Sequence, residues 1–280
     1  MNMGALIGAA FLVILVFGAA FASYLFPRDP ELANLDTIRL PPSLAHPFGT
    51  DYLGRDQLAL ITYAARVSLI VAFTAGVILA VVGTMTGLMA GYFGGRIDGF
   101  IMRIADVFLT IPTLPLILVV VMVIGSNLVN LMLIIGLTSW PSMTRIVRAE
   151  TLSLMKRDFI DIERVMGASP QRIIFKHLLP NQINTIFVYT SLSIPVVILT
   201  EAALEFLGLA PLSISWGFML NMSINYWITG AWWMSFFPGL AIFSTSLAFY
   251  LVSEGLKEAL SPKLKRKRES VQIQVAARKR

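Results

Sequence analysis

No cysteine occurs anywhere in the 280 residues. That absence excludes disulfides, thiolate metal sites and cysteine nucleophiles. Charge is scarce as well: Asp, Glu, Lys and Arg make up 14% of the chain, where a soluble domain carries about 25%. No Gly-Lys pair is present, so the G-x-x-x-x-G-K-[ST] loop that cradles nucleotide phosphates is missing, and the chain should not hydrolyse ATP itself. Histidine is limited to His46 and His177. Neither has a second ligand at a useful spacing, so no metal or cofactor is expected on this chain. The apolar stretches also lack paired aspartates or a Ser/His set, which argues against an intramembrane enzyme.

What is there is hydrophobic: 56% of residues, with a mean hydropathy of +0.76. The pattern predicts an all-α, polytopic membrane protein with six transmembrane helices, at 4–26, 68–92, 107–125, 128–147, 182–204 and 236–256, each close to the ~20 residues a bilayer needs. Residues 1–26 hold the first span. Ala20-Phe21-Ala22 resembles a signal-peptide cleavage site, but the apolar run is long for that role and no Lys or Arg precedes it, which favours a retained helix. Residues 27–67, with Pro27, Pro30, Pro41, Pro42 and Pro47, read as an extramembrane loop; within it, HPFGTDYLGRD (46–56) reads as a turn with Arg55 paired among Asp51 and Asp56. The membrane-embedded core is expected at 68–256. In it, 91–106 reads as a polar turn, and 205–235, rich in Trp and Gly, as an interfacial loop. Gly83, Gly87 and Gly91 fall on one helix face and would admit another backbone closely. Glu201 is an acid within an apolar span and hence a candidate for a substrate path; pairing with a basic residue or capping a loop is the structural alternative.

Charge is distributed unevenly. All but Arg28, Arg39, Arg55 and Arg66 of the 22 Lys and Arg fall in 93–106, 145–181 and the tail 257–280. Basic loops stay in the cytoplasm, so these segments and both termini are expected there. The tail, with KLKRKR at 263–268, suits anionic lipid better than nucleic acid.

The polar interruption at 148–181 is the segment built to meet something in water. Phe159, Ile162 and Met166 share a face of a short helix, with Asp158, Asp161, Glu163 and Arg164 around it. Gly167 ends that helix, Ser169-Pro170 starts a second, and Pro180 is expected to stop it. Periodicity alone fits either a projecting hairpin or one lying on the bilayer.

This segment resembles the EAA loop of ABC-importer permeases. Asp161-Ile162-Glu163 stand where E-A-A would, followed by Arg164, Gly167-Ala168-Ser169, Ile174 and Leu179-Pro180. The Gly-to-Pro half follows the pattern; the acid and two small residues do not. Collinear stretches resemble the same family, in particular the second permease of dipeptide, oligopeptide and nickel importers: HPFGTDYLGRD, YAARVSL at 63–69, AGYFGGRIDGFIMRIADV at 90–107, SWPSMTRIVRAE at 139–150, EFLGL at 205–209, SWGFML at 215–220 and LAFYLVSEGLKEALSPKL at 247–264. The resemblance implies a permease subunit working by alternating access. It also implies two ABC ATPase subunits, carrying ATP and Mg, docked on 158–181, a homologous second permease, and an extracytoplasmic substrate-binding protein on 27–67 and 205–235. Cargo would be di- or oligopeptides, with oligosaccharides or nickel complexes as alternatives, and Glu205, which departs from the family pattern at its position, is a substrate-path candidate on that ground. A channel or scaffold would have no need of the hairpin.

Overall fold

The structure, a computed structural model, describes residues 3–209 and 213–260. Helix α1 (Met3–Ala20) and the single turn α2 (Ala22–Leu25) lead into an irregular segment that holds a 3-10 turn at Leu35–Thr37 and a β-bridge between Thr50 and Asp56. Within it Asp51 gathers the turn: its carboxylate accepts from the backbone of Leu53 and Arg55 and pairs with the Arg55 side chain at 2.6 Å.

The next helix, α3 (Gln57–Phe93), starts eleven residues before the expected span, so 57–67 is helix rather than loop. Asp56 is its N-cap, accepting from Ala59 N at 3.0 Å and from His46 Nδ1 at 2.8 Å. Leu60, Ile61, Ala64, Ala65 and Ser68 are buried at helical spacing, which extends the apolar face back beyond Arg66. Arg66 itself is turned to the C-terminal end of α1, donating to Ala19 O, Ala20 O and Ser23 Oγ; a cation there meets the unpaired carbonyls of the helix end. Asp56→Ala removes the cap and the His46 partner, and is expected to lower stability by about 1 kcal/mol, read as a lower midpoint in thermal denaturation.

Residues 91–106, expected as a polar turn, are mostly helix. Gly94 and Gly95, at φ 61 and 52, make the turn alone, and α4 (Gly95–Thr110) follows, burying Ile101 and Ala105 against Ala90 and Trp140. Its amphipathic period was masked in the sequence by the surrounding glycines. Ile111, extended as a residue before proline is, separates α4 from α5 (Thr113–Ile124), and the two meet at 95°. The third expected span is therefore bent, with α5 too short to cross alone. Gly125 turns the chain into α6 (Leu128–Leu154), capped by Asn127. Arg148 clasps Asp98 and Arg145 reaches Asp106 at 2.5 Å, tying α4 to α6.

Helix α7 (Asp158–Val165), the short turn α8 (Pro170–Arg172) and a π-helical segment Ile173–Leu178 run into α9 (Leu179–Phe206); α10 (Trp216–Trp227) and α11 (Trp233–Leu260) complete the described chain. Among the described residues four helices are long and apolar enough to cross a membrane, or five if α4 and α5 form one bent span. Helix α6, with Arg145, Arg148 and Glu150 in its second half, is not among them.

The glycines expected at a helix interface face α6. A Cβ built on Gly83 would lie 2.5 Å from Met143 Cβ, one on Gly87 2.7 Å from Val147 Cβ, and one on Gly91 2.6 Å from Thr151 Cβ; Gly136 of α6 returns the contact against Ile78. Around this seam Leu79, Leu88, Leu131, Ile135, Met143 and Ile198 are fully buried. Helix α1 packs through Gly8 on Ala248 of α11.

Candidate functional site: the hairpin and the groove above it

Local chemistry builds the hairpin. Asp158 and Asp161 stand in the first turn of α7, where the helix dipole favours acids. At its end Gly167 takes φ 77; its N–H bonds Arg164 O and the Ala168 N–H bonds Glu163 O, both at 3.0 Å. These are the two bonds of a Schellman cap. Ser169 then accepts from Arg172 N at 3.3 Å with Pro170 at the first helical position. Pro180 does not stop the second limb. It lies at the start of α9, and the chain stays helical from Pro170 to Phe206. Proline has no N–H and its ring crowds the carbonyl four residues back. The preceding turn widens instead: Leu179 N bonds Ile174 O, five residues back, which is the π pattern.

The site residues divide between two faces. Ile160, not singled out in the sequence, is the fully buried anchor of α7, together with Ile173, Leu178 and Ile174 of the second limb. Phe159, placed by the sequence on one face with Ile162 and Met166, instead packs against the core with its ring 6.5 Å from that of His177. Glu163 also faces inward: its carboxylate is 3.2 Å from His177 Nε2 and 3.6 Å from Arg172 Nε, bracing the two limbs. The outward face holds Ile162, Met166 and Val165, the last at 90% exposure, with Asp161 and Arg164 paired at 3.3 Å beside them. Val165 could have been found from its i, i+3 relation to Ile162; Ile160 could not, because apolar residues occur on both faces of α7.

The hairpin's root is gripped. Gln182 donates to Thr151 Oγ1 at 2.9 Å, both side chains being buried, and Thr151 is the residue that Gly91 faces. So α3, α6 and α9 meet where the hairpin leaves them.

Above that junction a groove of about 240 Å³ lies between α6 and α9, bounded also by Leu79 of α3, Phe108 and Leu109 of α4 and Thr113 of α5. Thr138, Ser139 and Ser142 of α6, Tyr189, Ser193 and Thr200 of α9, and Thr113 of α5 line it, with no charged residue. Tyr189 and Leu192 also line a second opening nearer the hairpin, shared with Asn184, Thr185 and Lys257. On α9 these positions recur every three or four residues, as one stripe of a helix must.

Glu201 and Glu205 line neither opening. Both are buried, at 1% and 0% exposure, on the side of α9 that meets α3 and α10. Glu205 belongs to α9 rather than to a loop. Among the described residues Glu201 has no basic partner; it accepts from Ser68 Oγ at 3.0 Å.

Residues 83–266 match the family described as binding-protein-dependent transport system inner membrane component. The chain belongs to that family. It is 38% identical over 268 residues to the dipeptide transport system permease protein DppC of Bacillus subtilis, covering 95% of this chain and 83% of that one. It is 39% identical to the glutathione transport system permease protein GsiD of Pectobacterium atrosepticum (92% and 87% covered) and 35% identical to the oligopeptide transport system permease protein OppC of Bacillus subtilis (95% and 87%). Among solved structures, the inward-facing MetNI methionine ABC transporter shares the fold, with a TM-score of 0.53, 18% identity, and 70% of this chain and 96% of that chain covered. The permease is thus a multi-pass inner-membrane component of a transport system, and these relatives are permease proteins rather than ATPases.

Proposed function

We propose that this permease forms half of the pathway of an ATP-driven importer of di- or oligopeptides, and that the outward face of α7 seats in an ATPase subunit. The observation that carries the reading is Ile162, Val165 and Met166 standing exposed on a capped, braced hairpin whose root joins α3, α6 and α9. A push on α7 is delivered to the helices that bound the groove. In this reading α1, α3, the bent α4–α5 pair, α6, α9 and α11 are six spans, the groove is one wall of the pathway, and a second permease supplies the other. Two ATPase subunits hold ATP and Mg on the hairpin side. The positive-inside bias supports placing that side, and both termini, in the cytoplasm. A binding protein docks on the opposite face. The basic stretch at 263–268, read as meeting anionic lipid, lies outside the described residues.

Peptide cargo follows from the relatives and agrees with the groove. Hydroxyls without charge offer hydrogen bonds to a peptide main chain and do not select for side-chain charge. The test is uptake of a labelled dipeptide by proteoliposomes holding the assembled complex. Val165→Asp is expected to lower both ATPase stimulation and uptake by at least about tenfold, because an unpaired carboxylate buried in a docking surface costs more than the ~1.4 kcal/mol of one decade. Normal stimulation in that variant would remove α7 from the interface.

A further inference from the structure

We propose that Glu201 and Glu205 hold one proton between them, bound between Glu201 Oε2 and Glu205 Oε1 at the junction of α3, α9 and α10. The two acids stand four residues apart on α9, so their side chains are neighbours on one face. Each uses one oxygen elsewhere: Glu201 Oε1 accepts from Ser68 Oγ at 3.0 Å, and Glu205 Oε2 from Ser215 Oγ. The other two, Glu201 Oε2 and Glu205 Oε1, are buried and have no partner among the described residues. No Lys, Arg or His among those residues pairs with either acid. The nearest basic side chain in sequence on α3, Arg66, is committed to the end of α1, and Arg55 is committed to Asp51. Serines are what face the pair from α3 and α10.

Two carboxylates side by side in a buried site with no counter-charge among the described residues repel, and each unpaired oxygen carries a desolvation cost. One proton removes both penalties. The Glu201 carboxyl O–H donates to the Glu205 carboxylate, a charge-assisted bond that joins the two orphaned oxygens. Surroundings decide which acid stays ionised. Ser215 is the N-cap of α10, and a Cβ on Gly217 would meet Glu205 Oε2 at 2.7 Å, so Glu205 lies against the first turn of that helix. A helix N-terminus favours the anion. Glu201, held by a hydroxyl alone, is the neutral acid. The shared proton lets both acids stay buried, so that their bonds to Ser68 and Ser215 tie the end of α9 remote from the hairpin to α3 and to the start of α10.

Infrared difference spectra of the assembled complex in proteoliposomes at neutral pH test this. Wild type minus Glu201→Gln is expected to show the C=O stretch of a protonated carboxyl, and Glu205→Gln to shift that band, because the Glu201 O–H then loses its charged acceptor. Because its amide N–H donates in place of the acid, Glu201→Gln should keep the wild-type denaturation midpoint, whereas Glu201→Ala should fall below it. Absence of the band from the wild type overturns the proposal. So does a wild-type midpoint that rises with added NaCl or KCl while that of Glu201→Gln does not, since the site would then hold an alkali cation. If Glu201→Gln cannot be recovered, Glu205→Gln carries the same reading.

Discussion

Replacing Gly167 with valine is expected to leave ATP hydrolysis by the assembled complex running while peptide uptake falls at least tenfold, about 1.4 kcal/mol of lost coupling. No heavy atom lies within 4 Å of a Cβ at this position, so the substitution clashes with nothing across space. Its effect is on the backbone. Gly167 sits at φ 77, a conformation that a β-branched residue adopts only at a cost of about 1–3 kcal/mol. The turn relieves that strain by leaving the left-handed region, which breaks the bonds from Gly167 N to Arg164 O and from Ala168 N to Glu163 O. The outward residues Ile162, Val165 and Met166 then lose their fixed relation to Ser169 and the second limb. Gly167→Asn is the control, because asparagine tolerates the left-handed region; it should retain most of the uptake. Phosphate release and dipeptide uptake measured in the same proteoliposomes separate the outcomes, and normal uptake in the valine variant would show that the hairpin does not couple.

The turn itself was legible because its chemistry is local. Gly167 supplies the positive φ, and Ser169-Pro170 supplies a cap and a first-turn proline whatever the rest of the chain does. Which side of α7 faces in was not legible. Phe159, Ile160, Ile162, Val165 and Met166 are all apolar, and only the second limb, with Ile173 and Leu178 waiting for Ile160, decides between them. Glu163 reads as a surface acid in sequence, yet it is recruited by His177 and Arg172 from the other limb. The same limit explains α4. Glycines at 91, 94, 95 and 99 spoke for a turn, while the burial of Ile101 and Ala105 depends on Trp140, some forty residues on. Pro180 was a stop by propensity and became the start of a long helix because one widened turn could absorb it. The groove was invisible in outline: single Ser and Thr residues in apolar helices signify nothing until α6 and α9 set two stripes of them face to face.

Gly87→Leu should be the most destabilising of these substitutions, because the seam it enters cannot yield. A Cβ there would lie 2.7 Å from Val147 Cβ and 2.8 Å from Thr144 O, a backbone atom. A rotamer change can move Val147 but not that carbonyl, so α3 and α6 must separate. Separation also stretches the 2.6 Å contact between Thr86 Oγ1 and Thr144 Oγ1 and the bond from Thr144 to Gly83 O. Overpacking of this kind costs about 1–3 kcal/mol in a core that can partly adjust; with backbone in the way the upper end applies. The damage would not stay at the seam, since one turn further along, Thr151 both meets Gly91 and holds Gln182 at the hairpin's root. The denaturation midpoint of the complex in detergent is expected to drop, and the recovered amount with it. Gly99→Ala is the contrast: it lies in α4 with nothing within 4 Å, and alanine there should add roughly 0.5–1 kcal/mol by restricting the unfolded chain. A shared fate for both variants would mean that glycine content, not close approach of α3 to α6, sets the stability of this permease.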